Sequence, residues 1–530
     1  MKSSMVFSGL TLVSRVMGLA RDVVVSAYMG ASLNIAADAY NTALSFPNLF
    51  RRIFAEGAFT AAFVPAYART LEQKGEAEAD RIATDALATL AAATVVITIA
   101  AQLAMPWLML AINPGFTGDK FKLSVLLTQI AMPYLPCMAI VALLSGVLNA
   151  RGRFAVSALA PTLLNLCMLL AILPQKGPIA AAHAASWGVV AAGVSQVLLL
   201  VWAVRRTGAR IRPALPRLTP EIRQLIGLAI PGAIAASATQ INVFISQSFS
   251  SHVDGARSWL NVADRFYQLP LGLVGVAVGV ALLPALSRAV HSGDKAGAQS
   301  AMDEAVNLSM AFTLPAAAAL IAMPFFLVDG LFTRGQFTTF DAQQTAAALF
   351  HYGWGVPAFV LVRILAPAFF ARQDTKGPMY FALASVVVNL AVGIGLFHVI
   401  GVPGLAVGTS AAAWSNVLLM AFFLARRKTW TLSPRALSRL LRLLLASGLM
   451  GLVMGVGEFL YRTGRLQPAF SLLGSEGKLA GAVLVSLLGV ALYGVLLFAT
   501  RALTVAELKG ALRRAPKAEE GGAQSGADLS

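Results

Sequence analysis

The chain has 530 residues, of which 58% are hydrophobic and only 12% charged, with a formal net charge of +17. A soluble globular protein of this length would need far more polar surface, so the composition excludes one and points to a polytopic helical membrane protein, because lipid offers the backbone no hydrogen bonds. Most of the excess base falls in short connectors between apolar segments, which is the pattern of membrane topology, and no nucleic-acid partner is expected.

Apolar stretches of about 20 residues or more, long enough to span a bilayer, lie near 5–29, 35–67, 82–112, 121–149, 154–174, 178–204, 222–250, 258–288, 302–332, 343–371, 377–400, 402–425, 437–461 and 478–501. The expected fold is therefore all-α with about fourteen transmembrane helices. The first segment carries two arginines and an aspartate where a cleavable signal would have an unbroken apolar core, so it reads as a retained helix. Connectors after even-numbered spans hold Arg69, Lys74 and Arg81, then Arg205, Arg206, Arg210, Arg212 and Arg217, and later Arg372, Lys376, Arg426, Arg427, Lys428 and Arg435. Those after odd-numbered spans are poor in base, so the positive-inside rule puts both termini in the cytoplasm. The polar tail from 505 to 530 is expected to be disordered. Cys137 and Cys167 sit in separate apolar segments without ligand spacing.

Charges inside the spans are the informative feature. In span 1, Arg15 and Asp22 are seven apart and share a helix face, with Gly18 between them, while Arg21 points elsewhere. Span 2 opens with Asp38 and continues through Asn48 to the adjacent Arg51 and Arg52, with Glu56 four residues on from Arg52 and able to pair with it. Pro47 is expected to bend that helix one turn earlier. Span 8 holds Asp264 and Arg265, and span 10 holds Arg363. Each arginine at a helix centre costs roughly 2.5–3.5 kcal/mol in lipid, so six of them facing lipid would cost on the order of 15–20 kcal/mol, the whole stability of a domain. They are expected to line a wet interior, where a cationic cavity is a place for an anion. Other readings stand beside this one: Arg21 as a structural partner of Asp22 or Asp38, Asp264 with Arg265 as a helix-packing device, Arg363 as a snorkelling side chain, and Glu458 as an interfacial residue. Candidate bends are Pro133, Pro136, Pro315, Pro324, Pro357 and Pro367.

The chain repeats itself. ALAPTLLNL (158–166) in span 5 matches ALASVVVNL (382–390) in span 11, and VPAYAR (64–69) ending span 2 matches LPALSR (283–288) ending span 8. Both echoes are shifted by six spans, which makes two parallel six-helix lobes. The expected division is 1–204 for the N-lobe, 205–221 for a basic cytoplasmic linker, 222–428 for the C-lobe, 429–504 for two appended helices and 505–530 for the tail. The five histidines are scattered, and no metal-ligand spacing or phosphate-binding glycine loop occurs. No cofactor, metal or catalytic residue is expected, and the chain reads as a transporter.

SRVMGLARD (14–22), ADAYNTALSFPNLFRRIFAEGAFTAAFVP (37–65), NVADRFYQLPLGLVGVAVGVALLPALSR (261–288), RGQFTTFDAQQT (334–345) and LAPAFFARQDTKGP (365–378) resemble the MurJ (MviN) family of lipid II flippases, within the multidrug/oligosaccharidyl-lipid/polysaccharide exporter superfamily. The resemblance implies a central cationic cavity, a groove formed by the last two helices for the lipid tail, and a substrate, the undecaprenyl-diphosphate-linked peptidoglycan precursor, moved from the cytoplasmic to the periplasmic leaflet by alternating access. It implies diphosphate binding by Arg15, Arg21, Arg51 and Arg265, and supporting or gating roles for Asp22, Asp38, Asn48, Arg52, Glu56, Asp264 and Arg363. Membrane lipids and proteins of cell-wall synthesis or division are the further partners it suggests. Gln268 stands where relatives have a glutamate, which removes one acid from any latch there. Some relatives use an acid on span 11 to bind sodium; this chain has no Asp or Glu between Asp374 and Glu458, so that site is not carried over. A flippase for another polyprenyl-diphosphate glycan, or a non-transporting scaffold, are the alternatives.

Overall fold

The structure, a computed structural model, describes residues 2–51, 59–372, 374, 376–465 and 477–502. These form α1 (Lys2–Met29), α2 (Ala36–Arg51), α3 (Phe59–Lys74), α4 (Glu76–Leu103), α5 (Met105–Ile112), α6 (Gly118–Ala131), α7 (Tyr134–Ala150), α8 (Phe154–Ile172), α9 (Pro178–Arg206), α10 (Pro220–Ser250), α11 (Ala256–His291), α12 (Lys295–Ala322), α13 (Pro324–Phe332), α14 (Thr339–Phe370), α15 (Lys376–Ile400), α16 (Pro403–Arg426), α17 (Pro434–Arg462) and α18 (Gly477–Ala499). Among the described residues, helices fall in the expected apolar segments, and ten helical stretches are long and apolar enough to cross a membrane.

Helix starts follow local chemistry. Thr219 accepts a hydrogen bond from the Ile222 amide with Pro220 in the first turn of α10, and Ser433 caps α17 through the Ala436 amide with Pro434 beside it. Asp294 does the same for α12. Two of the expected bends coincide with interruptions. Span 4 passes from α6 to α7 through Met132 and Pro133, which keep right-handed helical dihedrals, whereas span 9 leaves the helical region at Met323 (φ −137°, ψ 49°), because a residue before proline is pushed out of it. Pro47, Pro315, Pro357 and Pro367 instead remain inside helices.

The two halves pack alike. α1 lies on α8 and α8 on α9; six spans later α10 lies on α15 and α15 on α16. Small residues allow the last contact, since a Cβ at Gly408 would stand 2.5 Å from the Gly393 Cα. Each lobe has its own core, with Tyr40, Leu127, Tyr134 and Met168 in the first and Trp259, Phe332, Phe337 and Leu349 in the second. Met450, Met454 and Tyr461 of α17 and Tyr493 of α18 join the second of these cores, so the appended helices are fixed to the C-lobe. Their opposite faces are bare of protein: Leu441, Leu445, Leu452 and Val456 of α17 and Leu484, Leu487 and Val490 of α18 are exposed.

Candidate functional site

Two turns before the end of α1 (Lys2–Met29), where the two lobes face one another, Asp22 is shared by two arginines. Arg21 gives both Nε (3.0 Å) and Nη2 (2.6 Å) to Asp22 Oδ1, and Arg265 of α11 approaches Asp22 Oδ2 through Nε at 2.9 Å. Arg21 is buried, and its Nη1 donates to Asn165 Oδ1 of α8 at 3.0 Å, while Asn165 Nδ2 returns to the Ser14 carbonyl. The expectation that Arg21 points away from Asp22 is therefore corrected. The long guanidinium arm curls back onto its neighbour, because a buried arginine needs a carboxylate more than it needs the direction of its own Cβ. Arg15 is exposed, and the Arg265 side chain is over a third exposed.

Asp264 accepts a hydrogen bond from the Gln268 side-chain amide on the next turn of α11. Arg363 of α14 is exposed and interacts electrostatically with Tyr267 of α11 in the same lobe. Asn48 is half-buried on α2. Arg51 ends α2, but its side chain, and the expected Arg52–Glu56 pair, lie outside the described residues.

At the end of the bundle bearing the α1–α2 turn, the lobes are stitched together. Gly255 begins α11 without a side-chain cap of its own; Asp38, from α2 of the other lobe, supplies it by accepting from the Gly255 amide (2.9 Å), the Ser258 amide (3.3 Å) and the Ser258 hydroxyl (3.1 Å). A carboxylate at a helix N-terminus meets unpaired amides and the positive end of the dipole. Lys120 of α6 completes the cluster with Nζ at 2.7 Å from Asp38 and 2.9 Å from Asp254. Asn41 bonds Ser258 and Asn261, and buried Arg257 bonds Thr42. A second carboxylate acts in the reverse direction. Asp341 closes a capping box with Thr338 on α14 and accepts from the Ser32 amide (3.1 Å), the Ser32 hydroxyl (2.6 Å) and Trp259 Nε1 (2.9 Å).

Backbone also meets backbone here. The Gln336 amide donates to the Ala27 carbonyl at 2.8 Å, and a Cβ on Gly335, whose φ is 58°, would collide with that same carbonyl. Gly335→Ala should therefore lower the melting temperature and loosen this end, at a cost of about 1–3 kcal/mol for the left-handed backbone and the clash together. An unchanged melting temperature and unchanged protection of the α1–α2 turn from proteolysis would refute it.

The family model described as lipid II flippase MurJ matches residues 25–473. This chain belongs to the MurJ lipid II flippase family. The probable lipid II flippase MurJ of Rhizobium meliloti (strain 1021) is 41% identical over 456 residues, covering 84% of this chain and 85% of the relative. The lipid II flippase MurJ of Burkholderia cenocepacia is 34% identical over 439 residues, covering 81% and 84%. Among solved structures, a lipid II flippase MurJ in an inward closed conformation superposes with a TM-score of 0.73 at 24% identity, covering 93% of this chain and 98% of that one. A multidrug-resistance MATE transporter of the MOP superfamily, in an inward-facing conformation, gives 0.67 at 15%, covering 80% and 98%. The two MOP-type folds thus share the architecture, and the family model carries the closer assignment.

The MurJ-type motifs explain why Asp38 and the span 8 segment were legible in the sequence. Lys120, Asn41, Arg257, Ser258 and Asp341 were missed. For Asp341 the Thr338-x-x-Asp341 spacing of a capping box was available as a signal. Glu458 was expected at the interface; it is buried, accepting from the Phe326 amide at the start of α13 (2.9 Å) and from Arg462 Nε (2.7 Å), because the broken helix exposes amides that need an acceptor.

Proposed function

We propose that this membrane protein flips lipid II, carrying the diphosphate and headgroup through a cationic cavity between the lobes while the polyprenyl tail stays in lipid along α17 and α18. The observation that carries the reading is the Arg21–Asp22–Arg265 cluster between the lobes, with Arg15 exposed about two turns earlier on α1. Arginine's planar fork suits a diphosphate, which offers several oxygens to charge-assisted hydrogen bonds. Asp22 keeps two like charges together in the empty protein. An arriving diphosphate competes for them, relieves their repulsion on its own account and draws the lobes together at the open end.

The sealed end, held by Asp38 and Asp341, is read as periplasmic, because the basic connectors, among them Arg205, Arg206, Arg426 and Arg427, lie at the other end of the spans. The conformation is then the inward-facing one, both termini are cytoplasmic, and the lobes comprise 1–204 and 222–428, joined by the 205–221 linker. Asp80 supports that linker by accepting from the Arg210 amide at 2.7 Å and from Arg151 at 2.9 Å. Release requires the Asp38 and Asp341 contacts to break, so both are assigned to the gate. Arg15, Arg21, Arg51 and Arg265 are assigned to the diphosphate, and Arg363 and Asp264 to its surroundings.

Complementation tests this. In cells depleted of their lipid II flippase, the chain should restore survival and lipid II exposure on the outer leaflet, and Arg51→Ala at matched expression should not. A correctly inserted wild-type chain that fails to rescue would move another polyprenyl-diphosphate glycan ahead as substrate. Rescue by both would leave the substrate standing and remove Arg51 from the site.

A further inference from the structure

A second basic cavity lies far from the interlobe cluster. It is about 440 Å³ in volume, and it is formed where the start of α17 meets the end of α18, at the opposite end of the bundle from the Asp38 and Asp341 seal. Four arginines, Arg435, Arg439, Arg442 and Arg501, line it together with the Ser438 hydroxyl, and no carboxylate is among the described residues lining it.

Topology alone would scatter base along this membrane surface; here it is built into a cradle. Arg501 takes a left-handed conformation (φ 54°), closing α18 with a bond from the Ala502 amide to the Leu497 carbonyl. The carbonyls this leaves over are taken up from α17. Arg439 Nε donates to the Ala502 carbonyl and Arg442 Nη1 to the Arg501 carbonyl, each at 3.1 Å. Those two bonds fix the two helices to each other and hold two guanidinium groups beside the cavity, with the remaining two supplied by the first turn of α17 and the last turn of α18.

The second observation is apolar. In line with Arg442 on α17, at the i+3, i+7 and i+11 spacing of one helix face, run the exposed Leu445, Leu449 and Val453, with the exposed Val495 and Phe498 on α18. A cationic cradle at the head of a bare apolar face has the shape of an anionic amphiphile, phosphate at one end and acyl chain at the other. We infer that the α17–α18 arginine cavity is a binding site for an anionic phospholipid headgroup whose acyl chains lie on the exposed apolar face. The phosphate chemistry is shared with free inorganic phosphate and with a polyprenyl diphosphate; the apolar face and the fixed arginines favour the phospholipid. A lipid bound there would tie the two appended helices together at the membrane surface, beside the face proposed for the substrate's tail.

Native mass spectrometry of the full chain tests it, using detergent-solubilised protein offered equal amounts of phosphatidylglycerol and phosphatidylcholine. Wild type should retain phosphatidylglycerol by roughly tenfold over phosphatidylcholine. Arg435→Gln with Arg442→Gln should bring the ratio near parity, while the corresponding double lysine variant keeps most of the preference. Millimolar inorganic phosphate should not displace the lipid. Parity in wild type, an undiminished preference in the double glutamine variant, displacement by inorganic phosphate, or preferential displacement by undecaprenyl diphosphate would each overturn the assignment. If the glutamine variant does not fold, the wild-type ratio and the two displacement arms still decide. None of these readouts involves transport, so failure here leaves the flippase reading standing, and failure of complementation leaves this site standing.

Discussion

Asp38→Ala is expected to unseal the closed end of the bundle and to stop transport. Asp38 is buried, caps α11 from the opposite lobe and faces Lys120, so its removal strands three hydrogen-bond donors and leaves a buried cation with only the exposed Asp254 for a partner. Breaking a buried pair from one side costs about 3–5 kcal/mol, and about 1.4 kcal/mol is a factor of ten in an equilibrium, so the sealed state should lose roughly two to three orders of magnitude of preference. Spin labels at Leu33 and Phe340, exposed residues on the two sides of the seal, report it directly once Cys137 and Cys167 are replaced by serine. Their distance distribution should shift to longer values in the variant. Asp38→Asn should fall between, since an amide can still accept from the α11 amides but cannot neutralise Lys120. A distance distribution identical to wild type would show that Asp341, Ser32 and the Gly335 contact hold the end without it.

Much of this architecture was legible in the chain before its structure, and the parts that were not share a physical cause. Apolar length located the ten helical stretches that are long and apolar enough to cross a membrane, because a bilayer imposes one scale on all of them. The interruptions at Pro133 and Pro324 were legible as bends, but Pro315, Pro357 and Pro367 carry the same residue in helices that continue, since neighbouring helices can satisfy the carbonyl a proline frees. Side-chain partners were harder. Helical spacing fixes where a Cβ points, and from it Asp22 was matched with Arg15; an arm of three methylenes ending in a guanidinium can turn back onto the neighbouring residue, and so Arg21 takes the carboxylate. The gate was half visible. Asp38 stood out as a charge in an apolar stretch, whereas its partners are backbone amides of Gly255 and Ser258, which every residue possesses and no sequence advertises. Glu458 was misjudged for the same reason, its acceptor role being fixed by the amide of Phe326 at a helix break 132 positions away.

Arg265→Ala and Arg21→Ala should both abolish flipping, but by separable routes. Each charge-assisted hydrogen bond to a phosphate oxygen is worth about 1.5–3 kcal/mol, so losing one arginine from the cluster should weaken diphosphate binding roughly 10- to 150-fold. Arg265 is partly exposed and holds Asp22 through a single nitrogen, so its loss should fall on substrate affinity and leave the melting temperature near wild type. Arg265→Lys should recover part of the affinity, as a point charge without the fork. Arg21 is different: it is buried, bonded twice to Asp22 and once to Asn165, and its removal leaves the Asn165 carbonyl and half of Asp22 without donors in the interior. Arg21→Ala should therefore lower the melting temperature as well as the affinity, and Asn165→Ala should reproduce the first effect more than the second. Asp22→Asn supplies the decisive comparison. If Asp22 serves to hold two repelling arginines until the diphosphate replaces it, the variant should bind a soluble diphosphate analogue at least as tightly as wild type while losing stability in the empty state, so that added analogue raises its melting temperature more than it raises that of wild type. Weaker binding in Asp22→Asn would mean that the carboxylate positions the arginines for substrate and does not merely hold their place, and the competition step proposed for loading would have to be abandoned.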